Sequence, residues 1–121
     1  LNGPNKPRYI SIKGTTTMAK TPYMAAKQVL TAYANVQRKA GRDFNFDANR
    51  AVYRGGEDPG GWSNSGALAC VIVEGTSLPN EYNHRDWIQA WSDLGDEVSA
   101  MLGRNVFFEH VNSCVVNLYE V

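Results

Sequence analysis

The chain holds little of what specialised sites are usually built from. Cysteine occurs twice, at Cys70 and Cys114, each inside an apolar run. Two such residues do not make a disulfide framework; they read as buried free thiols, with a bridge between neighbouring strands as the alternative. Histidine also occurs twice, and His84 and His110 stand far apart without paired ligand spacing, so no metal and no cofactor is expected. Neither sign of charge prevails: 12 basic and 12 acidic residues give a formal net charge of zero. Phosphate backbones and anionic membranes gain no electrostatic hold on such a chain, and no nucleic-acid or membrane partner is expected. The small basic group Arg38, Lys39 and Arg42 closes a helix and suits its dipole. No apolar run approaches the roughly 18 residues of a membrane span. The Gly-x-Ser-x-Gly nucleophile elbow is missing, and GGEDPGG lacks the Gly-Lys-Ser/Thr ending of a phosphate loop. The leading LNGPNKPRYISIKGTTT is polar and has no hydrophobic centre, so a secretory signal is not expected and a reducing, cytoplasmic setting is.

What is present suffices for one domain, since 121 residues with 43% hydrophobic content can bury a single core. Residues 1–17 read as an N-terminal extension or a first strand, because RYISIKG alternates while Met18 opens a stretch that would itself serve as a start. Residues 18–121 read as a single α+β domain. Thr21 and Pro22 mark a helix start, and Ala25, Ala26, Val29, Leu30, Tyr33 and Val36 carry its apolar face toward a stop at Gly41. DFNFDANRAVYR suggests one or two strand pieces, and ALACVIVEG a central strand. Asn83 with Asp86 resembles a capping pair for a second helix that carries Trp87, Ile88, Trp91, Leu94, Val98, Met101 and Leu102. After Gly103 the chain returns to strand, as a hairpin or a long bent strand with its turn near Asn112 and Ser113. The order predicts a βαββαβ sandwich, both helices on one face of a mainly antiparallel sheet. The central strand is apolar throughout, which predicts cover by other subunits and hence a homo-oligomer.

Between β-like runs lies VYRGGEDPGGWSNSG, with five glycines, a proline, two acids and a tryptophan. Such a loop is either a connector or a place where backbone approaches a ligand, and a binding loop is the preferred reading. Three carboxylates stand in unusual positions: Glu57 in that loop, Glu74 at the end of the central strand, and Glu109 inside VFFEHV. Their positions make all three candidate catalytic acids, and Glu109, on a buried strand face, calls for a partner; solvated loop or strand-end acids are the alternative. Trp62 either packs the loop down or offers a flat surface, and it or Tyr53 suits a cationic ligand.

Tyr53 followed after three residues by Glu57, in YRGGE, placed after a first helix and ahead of strand, helix and final strands, resembles the phage-encoded enzymes that degrade S-adenosylmethionine. These were first called SAM hydrolases and are better described as SAM lyases. The resemblance implies a ferredoxin-like trimer similar to the PII signalling fold, acting in the host cytoplasm, with S-adenosylmethionine bound between subunits. It implies an intramolecular displacement giving methylthioadenosine and homoserine lactone, without metal or covalent intermediate. Tyr53 and Glu57 correspond to the family's Tyr/Glu pair, with Gly55, Gly56 and Trp62 as further substrate-binding positions. Asp58 stands where serine is common, so Glu74 or Glu109 competes with Glu57 as the essential acid. The alternatives are a noncatalytic oligomeric ligand-binding or regulatory module of the same fold, and a structural or inhibitory protein acting through its surface.

Overall fold

The computed structural model describes residues 21–121, so the strand read at Arg8–Gly14 lies outside the described residues. Helix α1, Pro22–Lys39, begins as its sequence dictates: the Thr21 hydroxyl accepts the Met24 N–H at 3.1 Å, and Pro22 sets the first turn. Ala25, Ala26, Val29, Leu30 and Ala34 form its buried stripe, and Gly41 leaves the helix with φ 87.

The DFNF segment then departs from expectation. Phe44 and Phe46 do pack inward, but their carbonyls accept hydrogen bonds from the Arg38 guanidinium at 3.1 and 2.8 Å, not from a strand. Arg38 therefore pins this segment to α1, a role beyond complementing the helix dipole. A single helical turn, α2 (Ala48–Ala51), capped by Asp47, leads into the short strand β1, Val52–Arg54.

Strand β2 (Ala69–Ile72) pairs antiparallel with β1. Helix α3, Trp87–Leu102, follows, with Gly103 at φ 72 closing it. The expected Asn83–Asp86 capping pair is not formed: Asp86 makes no side-chain cap bond, and Asn83 instead bonds Asn80 N–H and Leu78 carbonyl. His84 accepts the Asp86 N–H, shaping the turn before α3. Strands β3 (Val106–Asn112) and β4 (Val115–Glu120) form the expected hairpin, whose turn Asn112 braces by accepting the Cys114 N–H at 2.7 Å.

The result is an α+β architecture with a four-stranded, fully antiparallel sheet in the order β1-β2-β4-β3. The register places Val52, Val71, Val116 and His110 in one row and Ala69, Leu118 and Phe108 in the next. This face meets α1 and α3 around Leu30, Trp91 and Val98 in a single core. Each fully buried leucine or valine there contributes about 1.5–3 kcal/mol of transfer free energy. Trp91 also satisfies its indole N–H on the Pro79 carbonyl at 2.7 Å. Among the described residues no helix is long and apolar enough to cross a membrane.

Candidate functional site

The opposite face of the sheet carries a row formed by Tyr53, Cys70, Asn117 and Glu109, one residue from each strand. Cys70 and Asn117 are fully buried in the single chain. Within the chain the glycine-rich loop covers them, folding back over β2 and β4.

The loop is held by a polar clasp. Asp58, only 6% exposed, accepts the Trp62 N–H at 2.7 Å, the Ser63 N–H at 3.0 Å and the Ser63 hydroxyl. Ser63 Oγ in turn accepts the Gly56 N–H at 2.8 Å. From the sheet, the Asn117 amide donates to the Trp62 carbonyl at 2.9 Å, and Ser65 bonds the Tyr119 hydroxyl at 2.9 Å. Two glycines are required by this geometry. A Cβ on Gly55 would lie 1.8 Å from the Ala67 carbonyl oxygen, and Gly56 adopts φ 82.

Electrostatics within the clasp are one-sided. Burial opposes the Asp58 charge, but the Ser63 hydroxyl and the Trp62 and Ser63 N–H groups outweigh it and hold the carboxyl below its ordinary pKa. Burial, then the Asp58 charge, push the Cys70 thiol up to about 12, although Ser63 partly counters them. Cys70 is a buried thiol and Asp58 a fully engaged carboxylate, so neither is a ready nucleophile or base. Cys70 and Cys114 are both free.

The proposed site residues are brought together only in part. Tyr53 is half-buried and donates its hydroxyl to the Arg50 carbonyl at 3.1 Å. Gly55, Gly56 and Glu57 follow in a tight turn that the Glu57 N–H closes on the Arg54 carbonyl at 3.0 Å, with the Glu57 side chain exposed. Trp62 is 46% exposed, and its indole lies against Gly60, where a Cβ would approach Nε1 to 2.5 Å. Glu109 shares the face of Tyr53 but sits three strands away, roughly 14 Å by strand spacing. Glu74 lies past the other end of β2 and is exposed. Both side chains are exposed, so the expectation of a buried carboxylate at Glu109 is not met. Within one chain the three glutamates do not converge.

Sequence reasoning missed Asp58, Ser63 and Asn117, which build the loop. The available signal was an acid four and five residues before a tryptophan and a serine across a Pro-Gly-Gly turn, the spacing at which a side chain caps backbone N–H groups. Elsewhere, a groove of about 830 Å³ runs along α1, α2 and α3, rimmed by Lys27, Asn35, Arg38 and Asn49. Its polar groups largely satisfy one another: Lys27 bonds Asn49 at 2.7 Å, and Arg38 bonds Asn35 at 3.0 Å. Among the described residues no three His, Cys, Asp or Glu side chains are grouped to hold a metal. Comparison with protein-family models, with curated proteins and with solved structures returns no match to this chain.

Proposed function

We propose that this chain degrades S-adenosylmethionine by intramolecular displacement. The methionyl carboxylate attacks its own γ-carbon, the bond from that carbon to the sulfonium breaks, and the electron pair returns to sulfur. The products are homoserine lactone and methylthioadenosine, and the protein need supply only positioning and placed charge. The observation carrying this reading is the Tyr53-to-Glu57 turn, where an exposed carboxylate and two glycines stand beside a loop that presents an exposed indole. Glu57 would hold the substrate ammonium, the Gly55–Gly56 backbone would approach its polar groups, and Trp62 would face the adenine or the sulfonium.

The sheet order suits a ferredoxin-like arrangement in which β4 fills the central place beside β2. A trimer with its site between subunits would bring Glu74 or Glu109 of one subunit toward Glu57 of another, which a single chain does not do. That same separation favours a second reading, a noncatalytic ligand-binding module whose loop the Asp58 clasp holds ready.

Incubation of the purified protein with S-adenosylmethionine, followed by chromatography and mass spectrometry, separates the two. Methylthioadenosine with homoserine lactone supports the lyase; bound but unchanged substrate supports the module; neither turnover nor binding overturns both. Replacing Glu57, Glu74 and Glu109 singly by glutamine is expected to lower turnover about a hundredfold for the acting acid and to leave the fold intact. Full activity in all three variants removes the carboxylate mechanism.

A further inference from the structure

Strand β3 is an edge among the described residues: β4 lies on one side, and no described strand lies on the other. Natural edges are usually protected by short length, proline, charged side chains, above all lysine, or bulges, and here Glu109 is the one carboxylate on the edge. Val106–Asn112 is seven residues long and contains neither proline nor lysine; its one irregularity, between His110 and Asn112, sits at the hairpin end.

Beside this edge a groove of about 400 Å³ runs between β3 and α3. On the helix side Ile88, Ser92 and Asp96 follow one another at four-residue steps, and Ile88 is 67% exposed. Across the strand, Phe107 and Val111 are also exposed large apolar residues. The groove includes His110, whose Nε2 is buried without a hydrogen-bond partner among the described residues. Among the described residues the acids flanking this edge are Asp96 on the helix side and Glu109 on the far face; the groove is lined by no lysine or arginine, and α3 carries neither.

A strand edge without a described partner, a flanking apolar groove and acids on both faces occur together here. We propose that β3 and α3 receive an extended, basic, apolar-rich peptide segment that pairs with β3 as a further strand. Backbone hydrogen bonds to the edge supply affinity. Side chains alternate between the helix side, where Ile88 and Asp96 wait, and the far face, where Phe107, Glu109 and Val111 do. Each side offers both an apolar surface and an acid, so a segment mixing β-branched residues with lysine or arginine is accepted in either register. The proposal does not rest on the S-adenosylmethionine reading, although its far face, with Phe107, Glu109 and Val111, is the one that reading gives to subunit contact.

The test uses a fluorescein-labelled octapeptide of alternating lysine and valine, titrated against the full chain by fluorescence anisotropy. Its controls are the glutamate–valine and lysine–proline octapeptides; the latter keeps the charge but cannot form a strand ladder. The lysine–valine peptide is expected to bind about tenfold more tightly than either control. It should also slow amide exchange in residues 107–111. Asp96→Lys and Ile88→Asp, both at exposed positions, should each weaken it by about tenfold. Equal binding of the lysine–proline peptide would reduce the effect to bulk charge and overturn the proposal. So would unchanged affinity in Asp96→Lys, or a β3 already protected from exchange in the free protein, which would mean the edge has another occupant.

Discussion

At the scale of single residues, Asp58 decides more than its neighbour Glu57. A carboxylate that accepts three hydrogen bonds while nearly buried is costly to replace, because its donors are then left unpaired or poorly paired. Asp58→Asn is expected to cost about 2 kcal/mol, read as a lower midpoint in urea unfolding at pH 7. The pH dependence follows from the direction of the shift. Because the folded pKa lies below the unfolded one, the stabilisation is complete above the unfolded value and is lost as pH falls through the folded value. Wild type and Asp58→Asn should therefore converge in stability as the medium is taken below about pH 4; a gap of constant size would remove the ionised clasp. Cys70 gives a second test. With its pKa raised to about 12 and its side chain buried, it should resist alkylation of the native protein at pH 8 and react only on unfolding. Rapid native labelling of Cys70 would show that the loop opens freely.

Among the elements, two glycines with opposite expectations separate the loop from the helix. Gly55→Ala forces a Cβ into the Ala67 carbonyl and should destabilise by about 1–3 kcal/mol. In α3, a Cβ at Gly95 would meet Phe108 N at 3.5 Å and Phe107 Cα at 3.6 Å, which is ordinary contact. Gly95→Ala should therefore gain up to about 1 kcal/mol from helix propensity, visible as a raised Tm. The same contrast explains what was legible in the sequence. Both long helices and the hairpin turn follow from local chemistry: Thr21 with Pro22, the apolar stripe through Trp91 and Val98, and Asn112 at the bend. The DFNF alternation misled because side-chain burial alternated while the carbonyls were claimed by Arg38. In the same way, the glycine loop was recognisable as a special place, but not its clasp to the sheet, since Asn117 reaches Trp62 across 55 residues of chain. Glu109 read as a buried acid because its neighbours are apolar, yet its face of the edge strand is open.

Taken whole, the molecule has one covered and one divided face. Helices cover the first; on the second, the loop protects β2 and β4 while Phe107, Glu109 and Val111 of β3 stay exposed. The proposed trimer would use what the loop leaves open, so analytical ultracentrifugation should show mass falling to a single chain when Phe107 and Val111 are both replaced by lysine. A wild-type protein that sediments as a single chain at assay concentration would confine any catalysis to one subunit.

The place of β4 in the interior of the sheet reaches beyond the folded state. Strand β2 receives its second neighbour only after the chain has passed through a loop, α3 and β3, and β3 has no other described partner. During synthesis, a ribosome that has delivered residues up to Asn112 has made both long helices and three of the four described strands, yet β3 cannot be joined to β2. The nascent chain waits with β3 unpaired and one edge of β2 open, the condition in which chaperones engage and aggregation competes. Release of the hairpin's second arm then completes the sheet in one cooperative step.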